Sequence, residues 1–136
     1  MSRGRRATQS CHELEVTVIR ARGLRALDIG GSSDPYVKLI FGQERFGKSS
    51  YQDRTLAPVW NERFVLSVPS QHKIGPLDYI VVEVWDKDMH GAQLIGATSI
   101  DLESRLLSQE WIEMQPKPVE RRYLWTPASL APQGKL

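Results

Sequence analysis

Short runs in which apolar and polar residues alternate constrain this chain more than any other feature of its sequence. Leu14, Val16 and Val18 alternate with polar residues, and further short apolar runs occupy residues 37–41, 63–68, 79–85 and 95–100. Alternation with a period of two places every second side chain on one face of a β-strand. Proline or glycine separates the runs, for example at Pro58 and Gly91. The pattern therefore predicts an all-β fold of short antiparallel strands packed as a sandwich.

One stretch has helical rather than strand spacing. Asp101 is a favourable N-cap, the apolar residues Leu102, Leu106 and Trp111 follow it, and Pro116 stops the pattern. We predict one short helix over residues 101–111, packed on one end of the sandwich.

Size and composition exclude several classes of protein. A chain of 136 residues fits a single domain, and its apolar runs are far shorter than the ~20 residues of a membrane-spanning helix. The net charge of +2 is too small to indicate nucleic-acid binding. Cys11 is the only cysteine, which excludes an intrachain disulfide and a cysteine-based zinc site and favours a reducing, cytosolic setting.

Four aspartates follow or precede predicted strands. Asp28 and Asp34 bracket one loop, and Asp86 and Asp88 follow the strand that ends at Trp85. If the two loops lie at the same end of the sandwich, the carboxylates converge and repel one another unless a cation neutralises them. Oxygen ligands on flexible loops favour Ca²⁺ over Mg²⁺. A single aspartate beside glycine, serine or proline is more often a turn residue, so this prediction depends on the set of four.

A nucleotide-binding motif is also present by pattern. Residues 42–49 match G-x-x-x-x-G-K-S, but Glu44 would face the phosphates and residues 50–57 lack the apolar stripe of a packed helix. A parallel sheet also needs crossover helices, which the sequence does not supply. We reject this hypothesis and interpret the stretch as a loop that joins two strands. No nucleophile can be paired with a base from the sequence, so we expect no enzymatic activity.

Three motifs in order resemble those of C2 domains. They are ALDIGGSSDPYVKL at residues 26–39, TLAPVWNE at residues 55–62, and VWDKD with LIG at residues 84–88 and 94–96. The resemblance covers residues 14–102 and implies an antiparallel, eight-stranded β-sandwich, with the type II strand order favoured. Residues 100–108, 118–120 and 132–134 are similar to the C-terminal flank of ferlin C2 domains.

The resemblance also implies a set of calcium ligands. These are the four aspartates Asp28, Asp34, Asp86 and Asp88, assisted by the backbone carbonyls of Leu27 and Lys87. The family usually has a fifth aspartate three residues before the glycine of the closing motif, where this chain has Gln93. An amide oxygen can bind Ca²⁺ but adds no charge, so we expect weaker affinity or fewer ions.

Two further surfaces are implied to contact a membrane. Calcium would reverse the charge of the loop tips and let them approach anionic phospholipid, which nearby lysines also attract. Tyr36, Lys38, Lys48 and Trp85 resemble part of a phosphoinositide-binding face. Ile29, Met89 and His90 lie at loop tips that could enter the headgroup layer.

These implications combine into one expected function. The chain is expected to be a calcium-regulated phospholipid-binding module, peripheral at the cytosolic face of membranes. Its parent would be a larger, membrane-anchored protein of trafficking, fusion or repair. The alternative is a calcium-independent C2 domain used for protein contacts or constitutive lipid binding, which Gln93 favours. We expect residues 1–12 to form a flexible basic tail, residues 13–126 the domain, and residues 127–136 an extension or the start of a last strand.

Overall fold

The computed structural model of the protein describes residues 11–27, 30–127 and 132–136. Within these residues the fold consists of six strands and two short helices. They are β1 (Cys11–Arg20), β2 (Pro35–Phe41), β3 (Glu44–Lys48), β4 (Val59–Pro69), β5 (Tyr79–Asp88), β6 (Gly91–Asp101), α1 (Glu103–Leu106) and α2 (Gln109–Glu113). No helix among the described residues has the length and hydrophobicity needed to cross a membrane.

The strands form two antiparallel sheets, which confirms the predicted all-β class. One sheet has the order β1-β4 and the other the order β3-β2-β5-β6. Alternate residues face the space between the sheets, so Val37 and Leu39 of β2 are fully buried, as are Ile80, Val82 and Val84 of β5. Each such aliphatic side chain contributes roughly 1.5–3 kcal/mol through burial.

The prediction of a loop over residues 42–49 was wrong, because residues 44–48 form β3. This strand pairs with β2 after a tight turn at Gly42 and Gln43. Only Phe46 in this stretch carries an apolar side chain, so its own alternation is weak. The strand forms because the edge of β2 offers backbone partners, and because Gly47 allows the side chain of Phe64 to approach closely.

The single predicted helix is two helices. The chain leaves the helical conformation at Leu107, and Ser108 begins α2 by accepting a hydrogen bond from the Trp111 N–H at 3.2 Å. A serine side chain in this position competes with helical backbone hydrogen bonds and favours a new N-terminus. Asp101 does accept from the N–H of Glu103 at 3.0 Å, although Leu102 occupies the N-cap position.

Among the described residues, isolated β-bridges stand in place of the last two of the eight expected strands. Tyr123 and Arg22 both bridge to Lys135, and Ala97 bridges to Trp125. The C-terminal segment thus lies between residues 122–124 and the continuation of β1, where the expected strand order puts the last strand. β1 itself begins at Cys11, so residues 11 and 12 belong to the sheet rather than to the predicted tail. The rest of that predicted tail, residues 1–10, lies outside the described residues.

Candidate functional site

The loop that precedes β2 and the end of β5 are fixed to each other. Pro35 and Asp86 are directly opposite in the sheet. The Asp34 N–H donates to Asp86 Oδ1 at 2.7 Å, and the Lys87 N–H donates to the Asp34 carbonyl at 3.0 Å. Asp86 is only 1% exposed. A buried carboxylate therefore lies at the junction of the two chain segments that carry the predicted ligands.

Of the four predicted aspartates, the other two that the structure describes are held by backbone N–H groups of neighbouring loops. Asp34 Oδ1 accepts from the Arg54 N–H at 2.7 Å, and Asp88 Oδ1 accepts from the His90 N–H at 2.8 Å. Asp88 opposes Gly91 at the tip of the β5–β6 hairpin, where Gly91 has a φ of 134°. A φ of this size favours glycine, which explains the tight turn behind Asp88.

The structure places three of the four predicted aspartates in connected segments, while Asp28 and Ile29 lie outside the described residues. Over residues 11–27, 30–127 and 132–136, no three His, Cys, Asp or Glu side chains form a group that could hold a metal ion. Gln93 is exposed and lies opposite Asp86 across β5 and β6. That the four predicted aspartates converge on one ion stays a prediction.

Leu27 lies at the base of the loop that contains Asp28. Its N–H donates to Ser33 Oγ at 3.1 Å, and Ser33 Oγ in turn donates to the Arg25 carbonyl at 3.1 Å. Ser33 is fully buried, so this hydroxyl closes the neck of the loop and brings its two ends together. This role was not predicted from the sequence, although serine beside Asp-Pro is a usual turn residue.

The donor set fits a hard cation by its chemistry. Asp34, Asp86 and Asp88 carry carboxylate oxygens, and Gln93 carries an amide oxygen on the adjacent strand. Ca²⁺ takes six to eight oxygen ligands on flexible loops, whereas softer metals favour nitrogen or sulfur. Calcium is therefore the metal that these residue types suit best.

The four residues of the second predicted surface lie together on the outer face of the larger sheet. Tyr36 opposes Trp85, and Lys38 opposes Lys48. The Lys38 Nζ lies 4.3 Å from the Trp85 ring centroid, and the Lys48 Nζ lies 5.3 Å from the Tyr36 ring centroid. These are cation–π distances. Tyr36 is only 6% exposed, and burial raises the pKa of its hydroxyl.

Glu83 belongs to the same face, although it is not among the residues predicted for it. The Trp85 Nε1–H donates to Glu83 Oε1 at 2.9 Å, and Glu83 lies opposite Lys38. Glu83 is two residues before Trp85 in β5, so the alternation could have identified it. The face is therefore of mixed charge, and its carboxylate opposes the binding of an anion.

The loop tips differ in exposure and contacts. Met89 is 92% exposed, and His90 beside it is exposed. Lys87 places its Nζ 4.4 Å from the ring centroid of Tyr51, a half-exposed residue that is not among the predicted site residues. Tyr51 precedes Gln52, whose N–H donates to the Pro35 carbonyl, so this pair lies beside the loops that carry the aspartates.

Comparisons with known proteins agree with the fold. The model of the C2 domain family matches residues 12–118. Synaptotagmin-9 of Homo sapiens is 38% identical over 111 residues, which cover 77% of this chain and 22% of that protein. Synaptotagmin-B of Diplobatis ommata is 36% identical over 110 residues, which cover 76% of this chain and 25% of that protein. The chain thus spans a quarter or less of the length of these relatives.

Solved structures that resemble this chain are also C2 domains. A C2 domain of plant Extended Synaptotagmin 1 has a TM-score of 0.67 and 26% identity, covering 90% of this chain and 87% of that one. The two C2 domains of Extended-Synaptotagmin 2, solved with calcium bound, also give a TM-score of 0.67 and 26% identity, covering 91% of this chain and 42% of that one. With the family match over residues 12–118 and the sandwich fold together, this chain belongs to the C2 domain family.

Proposed function

We propose that this C2 domain is a non-enzymatic, calcium-regulated phospholipid-binding module of a larger membrane-trafficking protein. The observation that carries the proposal is the buried carboxylate of Asp86, hydrogen-bonded to the Asp34 N–H at 2.7 Å. This contact holds two of the predicted ligand segments together before any ion binds. Similarity to synaptotagmins and to a calcium-bound pair of C2 domains supports the same conclusion.

Each group of residues has its own part in the proposed binding. Asp28, Asp34, Asp86 and Asp88 would hold the ion, with the carbonyls of Leu27 and Lys87 and the amide of Gln93 completing its oxygen ligands. Bound calcium supplies the positive charge that lets the acidic loop tips approach anionic phosphates. Met89 and His90, together with Ile29, would then contact the headgroup layer. Lys38 and Lys48 attract the same anionic surface from the side of the sheet.

The parent protein is proposed to act at the cytosolic face of a membrane. The ferlin-like assignment is a narrower proposal that rests on residues 100–108, 118–120 and 132–134 alone. The synaptotagmins and extended synaptotagmins described above give it no support. Both hypotheses give the parent protein a role in membrane trafficking.

A calcium titration followed by thermal unfolding tests the proposal. A ligand at about 100 times its Kd adds about 2.7 kcal/mol to the free energy of unfolding, which for a chain of this size raises the Tm by on the order of 10 °C. The double variant Asp34→Asn/Asp88→Asn should lose this shift, because each change removes a negative charge from the proposed calcium site. Asparagine keeps an acceptor oxygen at each position, so the backbone hydrogen bonds to these side chains can still form. The matched control is Asp53→Asn, an exposed aspartate paired only with Arg54 among described residues.

Vesicle co-sedimentation separates this proposal from the calcium-independent alternative. We expect binding to vesicles that contain phosphatidylserine in calcium and little binding in EGTA. Equal binding in both conditions, together with an unchanged Tm in millimolar calcium, would establish the alternative instead. The exposed position of Gln93, which brings no charge, is the observation that favours that alternative.

A further inference from the structure

Lys87 is a basic residue at the acidic end of β5. Its neighbours along the chain are Asp86 and Asp88, and its backbone N–H donates to the Asp34 carbonyl at 3.0 Å. Because opposite charges attract, an ion pair with one of these aspartates is the simplest arrangement for its side chain. Among the residues that the structure describes, however, no carboxylate forms an ion pair with Lys87.

An aromatic ring holds the Lys87 ammonium instead. Its Nζ lies 4.4 Å from the ring centroid of Tyr51, which is a cation–π distance. The chain beside Tyr51 is fixed to the start of β2, because the Gln52 N–H donates to the Pro35 carbonyl at 3.0 Å. The Tyr51 ring is therefore a platform that keeps the charge of Lys87 apart from the neighbouring carboxylates.

The ammonium on this platform stays accessible to solvent. Lys87 is exposed, and the residue opposite it in β6 is Ala92, whose methyl group is too small to cover it. Arg54 also lies close to Asp34, since its N–H donates to Asp34 Oδ1, but its side chain already pairs with Asp53 at 3.5 Å. Lys87 therefore keeps its charge for an external anion, whereas Arg54 does not.

The state of the acidic loops decides when an anion can approach Lys87. Without a metal ion, the negative charges of Asp34, Asp86 and Asp88 repel a phosphate group. With calcium bound, as in the function proposed above, the charge of this end changes sign and the same approach becomes favourable. A phosphate has several oxygens, so one of them can contact calcium while another accepts from the Lys87 ammonium.

We propose that Lys87 binds the phosphate group of an anionic phospholipid when calcium occupies the neighbouring loops, with Tyr51 as its positioning residue. This inference rests on the proposed calcium-regulated function and assigns part of its regulation to one side chain. In the absence of lipid, Lys87 opposes calcium, because two positive charges repel each other. A bound phosphate offsets this repulsion, so calcium and lipid each strengthen the binding of the other.

The variant Lys87→Met tests the proposal, since methionine keeps most of the length of the side chain and removes its charge. Calorimetric titration without lipid should show about twofold tighter calcium binding, because the screened repulsion is lost. Co-sedimentation in calcium with vesicles that contain phosphatidylserine should show about fivefold weaker binding. In EGTA the variant and the unmodified protein should bind these vesicles equally weakly.

The matched control is Lys73→Met, which should change neither measurement. Lys73 is an exposed lysine in the loop between β4 and β5, at the opposite end of the sandwich from Lys87. Thermal unfolding in EGTA establishes that both variants fold as the unmodified protein does.

The opposite signs of the two effects separate phosphate binding from a structural role. If Lys87→Met weakens calcium and vesicle binding together, or binds vesicles as the unmodified protein does, the proposal is overturned. A different result refutes the calcium-regulated function itself, and this inference with it: no change of Tm when calcium is added to the unmodified protein.

Two variants of Tyr51 test the platform. Tyr51→Phe keeps the ring face and should behave as the unmodified protein does. Tyr51→Leu removes the ring, so the Lys87 ammonium can pair with a neighbouring carboxylate and compete with calcium. Its calcium affinity without lipid should therefore fall about two- to fivefold instead of rising, and its vesicle binding in calcium should weaken. If the leucine and phenylalanine variants behave alike, Tyr51 does not position Lys87 and that part of the proposal fails.

The soluble headgroup glycerophosphoserine separates a membrane from a free phosphate ester. At millimolar concentration in calcium, we expect it to give no measurable heat of binding with either the unmodified protein or Lys87→Met. Binding of this compound that Lys87→Met abolishes, with vesicle binding unchanged, would assign the site to a soluble ligand and overturn the proposal.

Discussion

The close approach of β6 to the C-terminal segment makes Gly96 a sensitive position. A Cβ at this buried glycine would lie 2.8 Å from the Cβ of Leu124 and 3.2 Å and 3.3 Å from backbone atoms of Leu124 and Trp125. Ordinary carbon–carbon contacts are about 3.5–4.0 Å, so the segment would have to withdraw by roughly 1 Å. It cannot move freely, because Leu124 is fully buried in the core.

The cost of Gly96→Ala can be worked out from these contacts. Overpacking a buried site costs about 1–3 kcal/mol. Withdrawal also strains the two backbone hydrogen bonds between Ala97 and Trp125, at 2.8 and 2.9 Å, each of which contributes about 0.5–1.5 kcal/mol. We therefore expect a loss of roughly 2–4 kcal/mol, which corresponds to a fall in Tm on the order of 10 °C.

Urea unfolding followed by tryptophan fluorescence measures this loss, and Gly75→Ala is the matched control. A Cβ at Gly75 would meet no atom within 4 Å, and its φ is not in the left-handed region. The control should be stabilised by about 0.4–1 kcal/mol, because alanine restricts the unfolded chain. If the two variants are equally stable, the segment around Leu124 does not pack as tightly as the contacts indicate, and the reasoning is refuted.

Three further outcomes follow from individual contacts. Glu83→Gln keeps an acceptor for Trp85 but removes a negative charge beside Lys38, so binding to phosphoinositide vesicles in co-sedimentation should strengthen about fivefold, whereas Glu13→Gln on the other sheet should change nothing. The Gly75 N–H and His72 lower the pKa of Asp78, so its stabilising contribution is present above the usual carboxyl pKa and is lost as pH falls through the lowered value. Thermal melts between pH 6 and pH 2.5 should therefore fall less steeply for Asp78→Asn than for the unmodified protein, and parallel curves would contradict this. Ser108→Ala should cost about 1 kcal/mol in urea unfolding through loss of the α2 cap, and an unchanged midpoint would show that the cap is dispensable.

The strand pattern could be predicted because it is local. Val37 and Leu39 reach the core because side chains alternate along any strand, whichever partner the strand finds. The position of Asp34, Asp86 and Asp88 at strand ends is equally a property of the sequence. The hydrogen bond from the Asp34 N–H to Asp86 Oδ1 joins two of these positions, and it forms only because β2 lies beside β5. No local sequence pattern encodes that pairing.

The elements that were mispredicted are those in which the local signal was weak. β3 has one apolar side chain and exists because the edge of β2 was available for pairing. The helix over residues 101–111 had the correct spacing, but the Ser108 hydroxyl ended one helix and began another. Backbone hydrogen bonds do not depend on side-chain periodicity, so elements that form through them alone are not visible in the sequence.

The sequence by itself determined which residues alternate, which loops carry carboxylates and which family motifs are present. Only the tertiary structure decided that Glu83 shares a face with Lys38 and that Ser33 closes the neck of the acidic loop. The physical reason is that each of these features joins groups from different parts of the chain. Proximity of that kind arises from the order and register of strands in the sheets, which are properties of the folded molecule as a whole.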